Sequence, residues 1–184
     1  MREVVAIIIA VTLLATLASA KVSPLKANAD RAPGNIKVSI ATGAPLDPPK
    51  DHFRAGDQIA VAITMTNTSA EPVYVCVTSP LYQDLPTLSR NGQTVPYMNW
   101  EDYERQRSEA DGTCSKESLP EPMLLRPGEP TMVDWFILSD NASLVTDGWY
   151  DPLPPGQYEL SLKRRINCCD GTMVESNKVS FEVD

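Results

Sequence analysis

Apolar residues in this chain fall mostly at every second position, and that alternation sets the reading of its fold. Residues 57–67 carry it most clearly. Ile59, Val61, Ile63 and Met65 share one face, and Ala60, Ala62, Thr64 and Thr66 share the other. A period of two with β-branched residues predicts a half-buried strand, because successive side chains of an extended chain point to opposite sides. Residues 35–41 repeat the pattern with Ile36, Val38 and Ile40. Residues 131–138 set Val133, Trp135 and Ile137 against Met132, Asp134 and Phe136. Residues 156–166 place Tyr158, Leu160, Leu162 and Ile166 inward, with Gln157, Glu159, Ser161 and Lys163 outward; residues 178–183 place Val179, Phe181 and Val183 inward. Residues 73–78 are apolar on both faces, which predicts a central strand. Residues 87–90 and 93–97 flank Asn91-Gly92, a pair that tolerates the positive φ of a tight hairpin turn. Residues 123–125 lead into the turn Arg126-Pro127-Gly128-Glu129.

What separates these segments supports the same class. The chain has 16 prolines, clustered at 45–49, 120–130 and 152–155. Proline donates no ladder hydrogen bond and breaks helices, so the clusters mark connections. Residues 100–119 are charged and predict a short helix or a structured loop. About seven to nine short strands with no βα alternation predict an all-β sandwich or barrel.

The N-terminus follows another rule. A charged head, Met1-Arg2-Glu3, precedes an apolar run from Val4 to Leu17 interrupted by Thr12 and Thr16, then Ala18-Ser19-Ala20. This is the three-part pattern of a secretory signal peptide, with cleavage expected after Ala20. The apolar run falls short of the roughly 20 residues a spanning helix needs, so no stable membrane span is expected after cleavage. No cysteine sits at the cut, which argues against a lipid anchor. The expected organisation is a signal-peptide helix over 1–20, a linker over 21–34 and one domain over 35–184, secreted or periplasmic. The net charge of −8 argues against nucleic acid, whose phosphates call for Lys/Arg patches. Lys163-Arg164-Arg165 is a basic run too short to reverse that field.

Several motifs carry a resemblance. Leu153-Pro154-Pro155-Gly156-Gln157-Tyr158-Glu159-Leu160 resembles the turn entering a late strand of immunoglobulin-like sandwiches, with Tyr158 at the tyrosine-corner position. Phe53-Arg54-Ala55-Gly56-Asp57-Gln58-Ile59, running on to Thr66-Asn67-Thr68-Ser69, is similar to the second strand of bacterial secreted immunoglobulin-like modules. Leu125-Arg126-Pro127-Gly128-Glu129 and Ser176-Asn177 fit turns of the same modules. The resemblance implies an immunoglobulin-like antiparallel β-sandwich in which 80–119 is a long insertion. It implies no activity, because the fold hosts binding domains, spacers and proteinase inhibitors alike. The antibody-type Cys…Trp…Cys core is absent: Cys76 fits the third strand, and the second strand has no cysteine.

Candidate chemistry is sparse. Cys76, Cys114, Cys168 and Cys169 make an even set, which in an oxidising compartment predicts disulfides. Cys114 is expected to pair with Cys168 or Cys169, and Cys76 to pair with the other or stay buried. Without a Cys-x-x-Cys, and with His52 as the sole histidine, no metal site, cofactor or catalytic triad is expected. His52 is placed in a loop. The carboxylates Glu101, Asp102, Glu104, Asp140, Asp147 and Asp151 read as solvated loop charge. Tyr97, Trp100 and Tyr103, with Trp149 and Tyr150, form the candidate binding surface, since loop aromatics stack on sugars or anchor proteins. Asn67-Thr68-Ser69 and Asn141-Ala142-Ser143 match the glycosylation acceptor pattern. The expected function is a non-enzymatic binding or structural module for a protein or glycan partner, with a secreted proteinase inhibitor or a carbohydrate-binding module as alternatives.

Overall fold

A computed structural model describes residues 35–75, 77, 83–98, 122–139, 148–166 and 173–184. The described chain is built mostly of β-strands. One sheet has three strands in the order β1 (Ile36–Thr42), β3 (Ile59–Asn67), β8 (Pro130–Ser139), all antiparallel. A larger sheet runs β2 (His52–Phe53), β11 (Val179–Val183), β9 (Gly156–Arg165), β5 (Asp84–Arg90), β6 (Gln93–Thr94), and β10 (Met173–Glu175) also pairs with β9. β2 lies parallel to β11; the other pairings are antiparallel. β4 (Val73–Val75) and β7 (Met123–Leu125) form a separate two-stranded ribbon.

The alternation read from sequence decides which faces close. Ile36, Val38 and Ile40 from β1 and Ile59, Val61, Ile63 and Met65 from β3 are buried. They belong to one apolar cluster with Leu88, Tyr158, Leu160, Leu162, Phe181 and Val183 of the larger sheet. Burial of this kind contributes roughly 1.5–3 kcal/mol per large side chain. Phe181 stacks on Tyr158 at 5.2 Å and meets Phe53 edge-on at 5.7 Å. The Tyr158 hydroxyl donates to the Pro154 carbonyl at 2.6 Å, so the ring packs inside while its polar tip is satisfied four residues upstream. The β5–β6 hairpin turns through Asn91 (φ 50°) and Gly92 (φ 79°), both left-handed as a two-residue hairpin requires.

Three expectations change. β4 is a short strand pairing only β7 among the described residues, and Tyr74 is partly exposed, so 73–75 is not a central strand. His52 lies in a strand, where its position pairs with Glu182 of β11. Within 80–119, residues 84–90 are no insertion: β5 pairs along β9 from Asp84↔Arg164 to Arg90↔Tyr158 and is integral to the larger sheet.

The two sheets are also joined by polar groups at both edges of the smaller one. Beside β1, Asn177 imitates a strand. Its Oδ1 accepts from the Ile40 amide at 2.7 Å and its Nδ2 donates to the Ile40 carbonyl at 3.2 Å. Beside β8 the link is ionic and belongs to the site below.

Candidate functional site

β8 departs from simple alternation, and the departure shapes both of its faces. Its register with β3 shifts between Ile63 and Thr64, where Ile63 pairs with Asp134 and Thr64 with Met132. Val133 is therefore the extra residue of a β-bulge. Met132 and Trp135 are three apart, so in an unbroken strand they would face opposite ways. The bulge puts both on the outer face, opposite Thr64 and Ala62 of β3. β1 continues those rows with Ser39 opposite Thr64 and Ala41 opposite Ala62. Trp135 is 47% exposed and Met132 40%. Alanine beside Trp135 leaves the indole uncovered, because a methyl group is too short to lap over it. The result is a face of mostly small neutral side chains that carries Trp135 and Met132 along β8, with exposed Lys37 of β1 at one end.

The inner side of the same bulge holds charge. Arg164 of β9 is wholly buried and faces Asp84 of β5, also wholly buried. Its Nη1 donates to both Asp84 carboxylate oxygens, at 2.8 and 2.7 Å. Asp134 reaches the same guanidinium from β8, with its Oδ2 at 3.4 Å from Nη1 and 3.3 Å from Nη2. Gln83 Oε1 accepts from Nη2 at 3.1 Å. Burial pushes the Asp84 carboxyl up to about 7; the Arg164 guanidinium opposes that rise and the Asp134 charge adds to it. The alternation of β9 carried the signal: Tyr158, Leu160, Leu162 and Ile166 are inward, and position 164 shares their parity. Arg164 is therefore a core residue, and 163–165 is not a continuous basic surface.

The aromatics singled out by sequence lie elsewhere. Trp149 and Tyr150 are buried, so they form no exposed aromatic platform, contrary to expectation. Trp149 packs on Phe136 at 6.1 Å, and Tyr97 packs on Trp149 at 5.4 Å and on Tyr150 at 5.3 Å. The hydroxyls of Tyr97 and Tyr150 both donate to the Pro86 carbonyl. Large apolar rings next to a core are drawn in by the area they bury. Tyr97 also borders an open apolar depression with Pro86, Leu88, Thr94, Val95 and Tyr150, about 250 Å³ in volume. That is below the roughly 300–1,000 Å³ of small-molecule pockets.

Trp100, Tyr103, the cysteines Cys76, Cys114, Cys168 and Cys169, and Asn141 lie outside the described residues. His52 is exposed, with Asp51 at 3.8 Å and Glu182 at 3.7 Å. The Asn67 acceptor motif is closed to a glycan in the folded domain. Asn67 is fully buried, and its Nδ2 donates to the carbonyls of Glu71 at 2.7 Å and Leu125 at 3.1 Å. Among the described residues no three His, Cys, Asp or Glu side chains gather where a metal ion could be held, and no helix is long and apolar enough to cross a membrane. Trp135 was visible in sequence only as one member of an alternating strand, and its exposure follows from the bulge. No protein-family model matches this chain, and no curated protein matches it.

Proposed function

We propose that the chain is an exported immunoglobulin-like β-sandwich serving as a non-catalytic binding module, with its contact face on the outer side of β1, β3 and β8 around Trp135. The export reading rests on residues 1–20. The sandwich reading is supported by the strand connections: β1-β3-β8 on one side and β2-β11-β9-β5-β6 on the other is the order in which such folds distribute their strands. The Tyr158–Pro154 hydrogen bond fits a tyrosine corner. The observation that carries the function is Trp135 itself. A half-exposed indole over alanine is costly to leave in water, and tryptophan is enriched where interfaces draw their energy.

A glycan partner is the second reading. The hydroxyls of Ser39 and Thr64 lie one row from the indole, and stacking beside neutral hydroxyls suits a sugar ring. The experiment is capture from the extracellular or envelope fraction with the chain from Lys21 onward, against the same chain carrying Trp135→Ala. A partner retained by the parent and lost by the variant supports the face, and release by free oligosaccharide assigns it to glycan. No partner, or equal capture by both, removes the binding reading and leaves a spacer.

A further inference from the structure

We propose that Asp84, Arg164 and Asp134 form a proton-operated latch that ties β8 to the larger sheet. Two carboxylates share one guanidinium here. With both ionised, the buried cluster carries an excess negative charge; with one protonated, it is neutral. Among the described residues, the charged groups facing Asp84 are Arg164 from β9 and Asp134 from β8, and neutral Gln83 accepts from the Arg164 Nη2.

The two carboxylates are unequal. Asp84 is sealed, and its short bonds hold it on Arg164. Asp134 is 15% exposed, sits beyond 3.2 Å from the guanidinium and lies next to a bulge in β8, the outermost strand of its sheet among the described residues. The proton therefore goes to Asp84, where no water stabilises the ionised form. Protonated, Asp84 leaves the guanidinium charge to Asp134, and β8 is held. Once ionised, Asp84 takes that charge and repels Asp134, which has a path to solvent. The bulge at Val133 then loosens, and it is the bulge that sets the direction of Trp135. The latch thus couples solution pH to the order of the outer face.

The test is carboxyl-carbon NMR of the whole chain between about pH 4 and pH 9, with amide exchange in β8 followed in parallel. One aspartate, identified by its loss in Asp84→Asn, should titrate near neutrality. Amides of residues 133–136 should exchange more than about tenfold faster at pH 8 than at pH 5 after correction for the intrinsic rate. Asp84→Asn should abolish that difference, and Asp134→Asn should move the neutral titration down toward ordinary carboxylates. If Asp84→Asn does not fold, the resonance shifted by Asp134→Asn makes the assignment. The proposal is overturned if every aspartate titrates below about pH 5, if Asp134→Asn shifts none of them, or if β8 exchange shows no pH dependence beyond the intrinsic one.

Discussion

The smaller sheet is fastened to the larger one at both edges, by opposite chemistry. At the β1 edge a neutral amide, Asn177, completes the backbone pairing of Ile40. At the β8 edge a buried guanidinium holds carboxylates from β5 and β8. The amide seam replaces water one bond for one and does not titrate. The ionic seam carries a desolvation cost that its pairing only partly offsets, so its worth depends on which groups are charged. A fold can therefore have one edge indifferent to pH and another responsive to it.

The largest effect that would separate the seams is Arg164→Met. It leaves two carboxylates facing a buried site without their cation, and breaking such a cluster costs about 3–5 kcal/mol. Chemical denaturation at pH 8 should show this loss, and a smaller one at pH 5, where Asp84 is protonated. Asn177→Ala should cost less, about 1–3 kcal/mol, for the stranded amide and carbonyl of Ile40, and the loss should be the same at both pH values. Tyr158→Phe removes one hydrogen bond to Pro154 at the turn into β9 and should cost about 1 kcal/mol in the same assay. Trp135→Ala is the smallest, within about 0.5 kcal/mol, because its ring covers little of the core. A large loss there would show the indole to be structural and sink the proposed contact face.

The strands were legible because an extended chain writes its buried face at every second residue. β1, β3, β9 and β11 lie within two residues of where the pattern put them. β8 was found but its faces were not, because a bulge changes parity without changing composition. The buried cluster was half legible. Arg164 sits on the inward parity of β9, while its partners come from strands 80 and 30 residues away, and only pairing brings them together. Trp149 and Tyr150 misled for a related reason: adjacent aromatics beside a proline-rich turn read as a surface, yet both rings are buried in the apolar cluster against Tyr97 and Phe136.

The contrast between the seams rests on Asp84. Its carboxyl lies at about 7 in the fold against an ordinary 3.8, so the folded state holds the proton more tightly across that window. The stabilisation this gives is complete below the ordinary value and is lost as pH rises through 7. The most direct measurement is unfolding free energy from about pH 4 to pH 9 for the parent chain, Asn177→Ala and Asp84→Asn. The parent and Asn177→Ala should fall in parallel as pH rises toward 7, offset by a constant, while Asp84→Asn loses that descent. A descent that survives in Asp84→Asn, or one that disappears in Asn177→Ala, would contradict the account.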